Sequence, residues 1–537
     1  MKKLLIVPAL LLILFVVIAV RFTIDKRIDY VVSTEDITVP TFKEVSLDFT
    51  QFTDDSKSLP FVASAIIDIE NDGLEEVFIG GGVGQDDAFF EFKNDGFKRL
   101  TKLEYSKSAI NETTFSAAVL DVDNNGYSDL IVTRTNGVWL YLNNNGKFNG
   151  KKLQLDLGSD TTPMGVAVAD INKDGNFDLF ISGYIRKELV EGQNIFNKKN
   201  YGGTSRLFLN KGDNTFLDIT EKSGLLKIHN TFMGIFVDID ADGLIDLVVA
   251  EDTGHVQTWK NIGNNQFINK ANPNSNEFSY PMGIAVTDFH NDESVDFFFS
   301  NVGSTPPEFL VKGDLTDNQI HNFKWIMFEN QGGFEFKDVA QAVKLADYEF
   351  SWGAIFEDFN LDGLDDLVVS ENYIGFPAHK FEVLRLPGRF LLQTDGGEFS
   401  ETGLESGVIN TGYGISPLTA DFNNDGYPDL IHINIAGKPK AFINNGGNSN
   451  FVKIILPSTV ESIGAKIVVK RSDGKQVVRY YVSGEGLGSD QSHIQIIGLD
   501  SASATSVSVK FISGDYIEKQ GPFVNQNIIF NSIYKKK

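Results

Sequence analysis

One nine-residue pattern, acidic at its first and last positions and bent around a glycine, recurs seven times along the 537-residue chain. The copies read DIENDGLEE from Asp68, DVDNNGYSD from Asp121, DINKDGNFD from Asp170 and DIDADGLID from Asp238. DFHNDESVD from Asp288, DFNLDGLDD from Asp358 and DFNNDGYPD from Asp421 complete the series. Small or apolar residues precede each copy, as in FSAAVL (Phe115 to Leu120), and runs such as LIVT or LVVA follow, which reads as strand, tight loop, strand. Further on, LYLNNNGKF, LFLNKGDNTF and FLLQTDGGEF read as a third strand, a turn and a fourth strand opening on Phe. Seven units of four strands predict an all-β, seven-bladed β-propeller; an open solenoid would have shorter and more even repeats.

The pattern stops near Asn444. From there FVKIILP, GAKIVVKRS, KQVVRYYVSG, HIQIIGL, TSVSVKF and NQNIIF predict a small C-terminal β-sandwich. At the other end, Lys2 and Lys3 precede an apolar run from Leu4 to Val20, closed by Arg21: a single-pass signal anchor or a signal peptide cleaved after Ala19. Either places the rest outside the cytoplasm. The expected organisation is a signal segment to residue 21, a polar stem over 22–40, a propeller over 41–447 and the sandwich over 448–537.

The repeated loop has the chemistry of a hard-cation site. Calcium takes six to eight oxygens, so a loop that binds it turns several oxygens to one point, with glycine at position 6 reversing the backbone. Positions 1, 3, 5 and 9 supply side chains and position 7 a carbonyl. The candidate ligands are Asp68, Glu70, Asp72, Leu74 and Glu76; Asp121, Asp123, Asn125, Tyr127 and Asp129; and Asp170, Asn172, Asp174, Asn176 and Asp178. The later loops offer Asp238, Asp240, Asp242, Leu244 and Asp246; Asp358, Asn360, Asp362, Leu364 and Asp366; and Asp421, Asn423, Asp425, Tyr427 and Asp429. The fifth loop has His290 at position 3 and Glu293 in place of glycine, so a weak or empty site is expected there. Up to six or seven calcium ions are expected in all. The competing reading is that Asp, Asn and Gly simply make good turns. Against it, a turn needs no acid at position 9, and twenty-three acidic side chains at positions 1, 3, 5 and 9 account for most of the net charge of −25.

These loops resemble the FG-GAP repeats of integrin-α-type propellers. SIGAKIVVK (Ser462 to Lys470), SGEGLGSDQS (Ser483 to Ser492) and SVSVKFISGD (Ser506 to Asp515) resemble the ASPIC/UnbV domain of cartilage-acidic-protein-like proteins. The resemblance implies an extracellular, calcium-binding protein of adhesion or matrix type.

An acidic chain, pI about 4.7, is unsuited to nucleic acid, and the absence of cysteine excludes disulfides and thiolate chemistry. The connection after the metal loop is about 24 to 29 residues long in the third, fifth and sixth units against about 10 to 13 elsewhere. These insertions are expected on the face opposite the metal loops. Tyr201, Phe309 and Phe376 within them are candidate contacts for a protein or glycan partner; the alternative is that the insertions cover one another or dock the C-terminal domain. Of the seven His, none forms a close pair or a recognisable base arrangement, so a binding module is favoured over the rival reading, an envelope enzyme acting on polysaccharide.

Overall fold

The computed structural model describes residues 37–53, 61–105, 110–186, 189, 202–303, 319–372 and 386–531. It is almost entirely β. Seven four-stranded antiparallel sheets follow one another along the chain, each wound from its inner strand outward. The inner strands are Ser64–Ile67, Thr114–Leu120, Thr161–Ala169, Thr231–Val237, Ile284–Thr287, Ser351–Glu357 and Gly414–Ala420; the sheets are called I to VII in that order. Each inner strand lies beside the next and the seventh lies beside the first, so the sheets close into a β-propeller.

Sheet VII takes its outermost strand from the other end of the propeller. Phe42–Ser46 pairs antiparallel with Lys440–Asn444, with Phe42 opposite Asn444 and Ser46 opposite Lys440. The ring therefore closes through paired backbone, which covers the outer edge of Lys440–Asn444. Ile37 and Val39, at the end of the expected stem, pack against the cluster around Phe359, Phe390 and Phe442.

The inner strands are buried almost throughout, which is why they read as continuous apolar runs and not as alternating ones. Phe115, Met164, Phe232, Met282, Trp352 and Ile415 belong to the shared axial core. Phe61 packs on Phe232 and Trp352, with ring centroids 5.7 and 5.8 Å away.

The remaining strands make two further sheets. Asn450–Ile455 lies between Ile494–Asp500 and Gln526–Ile529; the other sheet runs in the order Gln476–Tyr480, Lys466–Arg471, Ala504–Lys510, Tyr516–Phe523. Val452, Ile454, Ile467, Val469, Ile497 and Val507 form their common core, which is continuous with the core of sheets II to IV. This C-terminal unit packs onto the metal-loop face of the propeller, as the contacts below establish. Most of the three long insertions lie outside the described residues.

Candidate metal loops and the domain that covers them

All seven loops share one hydrogen-bond scheme. The position-1 carboxylate accepts the backbone N–H groups of positions 5 and 6 at 2.6–3.1 Å, in Asp68, Asp121, Asp170, Asp238, Asp288, Asp358 and Asp421 alike. The position-7 N–H donates to the position-5 side chain: Leu74 to Asp72, Tyr127 to Asn125, Asn176 to Asp174, Leu244 to Asp242, Leu364 to Asp362 and Tyr427 to Asp425. Two left-handed residues make the bend, at position 4 (Asn71, Asn124, Lys173, Ala241, Asn291, Leu361, Asn424) and at position 6. Position 6 is glycine except at Glu293, which adopts φ 73°. Lys466 Nζ, 2.6 Å from its carboxylate, and the Tyr480 hydroxyl, 2.6 Å from its carbonyl, hold Glu293 in this unfavourable region.

The acid at position 9 has a structural task, contrary to the expectation that a turn would not need one. One of its oxygens accepts the N–H of position 2, as Asp129 does from Val122 at 2.8 Å and Asp366 from Phe359 at 3.0 Å. In six sheets the other accepts the N–H ending the third strand, from Asn143, Asn210, Asn261, Asn330, Gln393 and Asn444. The acid thus ties loop to sheet, and its presence alone does not argue for a metal.

The argument for a metal comes from convergence. Carboxylate oxygens of Asp121, Asp123 and Asp129 lie within 4.8 Å of one another, as do those of Asp238, Asp240 and Asp246. In loops 3, 6 and 7 an amide stands at position 3, and Asn172, Asn360 and Asn423 each donate Nδ2 to the position-5 carboxylate at 2.8–3.0 Å. Glu70 in the first loop is solvent-exposed. Burial, reinforced by the neighbouring acids, pushes Asp129 up to about 7 and Asp178, Asp246 and Glu76 up to about 8. Asp296, Asp366 and Asp429 are raised well above the carboxylate range for the same reason. Each carboxylate oxygen keeps a second lone pair, so the donor set fits a hard divalent cation, which would supply the positive charge these buried groups lack. In the fifth loop His290 has other partners: its Nε2 is 3.5 Å from Glu329 Oε1 and its ring lies on Phe289, centroids 3.9 Å apart.

In two loops a lysine ammonium group already reaches candidate ligand carboxylates. Lys260 Nζ lies between Asp240 and Asp242, 2.7 Å from the latter. Lys453 Nζ, from the C-terminal unit, is 2.6 Å from Asp421 Oδ2 and donates to Asn424 Oδ1 at 2.7 Å.

Other contacts confirm that the C-terminal unit covers this face. Ser458 O accepts from Asp121 N at 2.6 Å, Arg471 Nη1 donates to Asp362 O at 2.7 Å, and Asp500 N donates to Leu361 O at 2.8 Å. Asn291 Oδ1 accepts from Val478 N at 2.8 Å, and Ser492 Oγ donates to Glu75 at 2.7 Å.

Between these contacts the stretch Ser483 to Gln491 enters the axial channel. Ser489–Asp490 adds a parallel strand to Ser64–Ile67, with Ser64 opposite Ser489. Glu485 Oε1 accepts from Val286 N at 2.6 Å, Asp490 Oδ2 from Val119 N at 2.7 Å and Gln491 Oε1 from Thr419 N at 3.1 Å. Four inner strands are thereby given partners for backbone donors that face the channel. Glycine is required at the tip: Gly488 has φ 68°, and a Cβ there would lie 2.5 Å from Phe115 O. The sequence marked this stretch only by its resemblance to the ASPIC/UnbV domain.

A second device lay within the LYLNNNG-type motifs. The amide that ends the third strand also reaches back to the position-2 carbonyl of the preceding loop: Asn143 to Ile69, Asn261 to Ile171, Asn330 to Ile239, Gln393 to Phe289 and Asn444 to Phe359, at 2.7–3.3 Å. These amides latch neighbouring sheets. Their recurrence at one place in the repeat was the available signal.

Tyr201, Phe309 and Phe376 lie outside the described residues, as does the N-terminal apolar run. Tyr184, at the edge of an insertion, is buried, and its hydroxyl donates to Asp252 Oδ2 at 2.7 Å. Among the described residues no helix is long and apolar enough to cross a membrane.

The FG-GAP-like repeat family model matches residues 68–132, 121–181 and 238–299, covering loops 1 to 5. Cartilage acidic protein 1 of Xenopus tropicalis is 24% identical over 274 residues, covering 46% of this chain and 40% of that protein, so the match spans less than half of that relative. Cartilage acidic protein 1 of Mus musculus is 21% identical over 504 residues, covering 88% of this chain and 73% of that protein. A solved structure described as YCF48 bound to D1 peptide is similar at 9% identity and a TM-score of 0.40, covering 76% of this chain and 99% of that one. With the closed ring of sheets and the loop series in place, the chain is a β-propeller that carries FG-GAP-like repeats over residues 68–181 and 238–299 and is similar to cartilage acidic protein 1.

Proposed function

We propose that this chain is an extracytoplasmic, calcium-binding propeller that acts as a ligand-binding module of adhesion type, its calcium ions holding the metal-loop face and the C-terminal unit together. The convergence of Asp121, Asp123 and Asp129, and of Asp238, Asp240 and Asp246, carries the reading. Asp121, Asp129 and Asp246 among them are buried, and the C-terminal unit contacts loop 2 through Ser458 O on Asp121 N, so a cation placed there stabilises loop and docking together. The apolar run from Leu4 to Val20 supports the location.

Calorimetric titration with calcium, paired with thermal melts in calcium and in chelator, tests it. Binding of a ligand to the folded state alone raises stability by about 2.7 kcal/mol at one hundred times its Kd, so a clear rise in Tm is expected. An unchanged Tm with no binding heat would refute calcium as the resident ion.

A further inference from the structure

The amide latch is present at five of the seven seams and missing at two among the described residues. Asn210 is the counterpart in sheet III of the latching amides, and its backbone N–H bonds to Asp178 as theirs do to their own acids. Among the described residues, however, its Nδ2 makes no bond to Val122 O and reaches only Asn214 Oδ1, at 3.4 Å. The seam between sheets VII and I also has no amide, but there Phe97 packs on Phe422, centroids 5.0 Å apart. At the loop end of the seam between sheets II and III, no hydrogen bond or ring contact among the described residues takes the latch's place. A cleft of about 290 Å³ opens there instead.

The lining of the cleft selects a ligand class. Asn124, Asn176, Asn210 and Asn214 reach it from both sheets and make its lining mainly polar, while Val122, with the largely buried Leu120, Phe177 and Val460, supplies a small apolar surface. Asn210 is 5% exposed, so an N–H of its amide lies buried at the cleft with one long partner. Side-chain amides both donate and accept, which matches hydroxyl groups, and the apolar surface suits the C–H face of a ring. Asp121 and Asp123 stand at the same cleft and disfavour anions. With a cation held by loop 2 their charge is largely neutralised, which removes the preference for a cationic ligand. The volume sits at the lower end of small-molecule sites, about 300 Å³.

From these observations we infer that the II/III seam is a binding site for a small, neutral, hydroxyl-rich ligand of monosaccharide size. The site rests on the calcium reading of loop 2. It gives the propeller a ligand position on the metal-loop face, beside the C-terminal unit's Val460.

The test uses the full chain in calcium, with glucose, galactose, mannose and N-acetylglucosamine as probes in saturation-transfer NMR and calorimetry. Val122→Phe fills the seam with the residue that loops 5, 6 and 7 carry at this position, Phe289, Phe359 and Phe422. Asn214→Gly removes one amide and keeps the left-handed backbone, φ 58°, accessible. At least one sugar is expected to bind, Val122→Phe to abolish binding, and Asn214→Gly to weaken it tenfold or more, with the calcium-induced rise in Tm kept in both. A calcium-stabilised chain that binds none of the four sugars, or binds one equally well in both variants, overturns the site and leaves the calcium reading standing. Absence of any calcium effect on Tm overturns that reading, and this site with it, because bare carboxylates would then face the ligand.

Discussion

Lys453 Nζ sits 2.6 Å from Asp421 Oδ2 with both side chains buried, so the C-terminal unit places its own cation against the first carboxylate of the last metal loop. Breaking a buried pair by removing one partner costs about 3–5 kcal/mol, because the other charge is left uncompensated. Lys453→Met should therefore destabilise the chain strongly in chelator. In calcium the loss should be smaller, since an ion can neutralise Asp421. Chemical denaturation under both conditions measures the difference; equal losses would mean that loop 7 takes no metal.

Lys260 makes the complementary case inside one sheet. Its ammonium group lies between Asp240 and Asp242, two of the side chains expected to ligate a cation in loop 4. The three side chains are partly exposed, so water still screens the pairs, and exposed pairs of this kind are worth roughly 1 kcal/mol or less. Lys260→Met should thus cost little stability yet raise the calcium affinity of loop 4 several-fold by removing a competitor. Calcium titration of the variant checks the sign, and a weakened affinity would show that the lysine supports the loop.

The latches predict a contrast between two identical substitutions. Asn261→Asp keeps the acceptor oxygen that caps Gly263 N but loses the donations to Ile171 O and Ile245 O, leaving buried carbonyls unpaired. Asn210→Asp loses only a 3.4 Å contact. Each puts a new carboxylate beside the position-9 acid of its own sheet, so that penalty is common to both. Asn261→Asp should be the more damaging by about 1–3 kcal/mol in denaturant melts.

The repeat made the strand order and the loops legible, because a left-handed bend at position 6, glycine in six of the seven units, and acids at positions 1 and 9 are local requirements of every unit. What stayed hidden depends on residues far apart in sequence. Gly488 near Phe115 O, Asp490 on Val119 N and Phe42 opposite Asn444 are relations between chain segments that no local pattern encodes. The position-9 acid shows the opposite failure. Its pattern was plain, but a buried carboxylate that ties two backbone N–H groups looks the same in sequence as one that holds a metal.

Glu485, at the tip of the axial insertion, links pH to docking. Burial pushes its carboxyl up to about 8 from an ordinary 4.5; the Val286 N–H opposes the shift, while Asp365, Glu357 and Asp490 add to it. A carboxyl whose proton affinity is higher in the folded state favours folding when protonated. Its contribution is complete below about 4.5 and is lost as the pH rises through about 8, each tenfold change in proton affinity being worth about 1.4 kcal/mol. Glutamine mimics the neutral acid and keeps an acceptor for Val286 N. Glu485→Gln should therefore leave stability at pH 5 nearly unchanged, raise it at pH 8, and flatten the slope between. Thermal melts of both proteins in saturating calcium isolate this group from the metal loops. A variant less stable than the parent at pH 8 would show that the charged form holds the insertion in place.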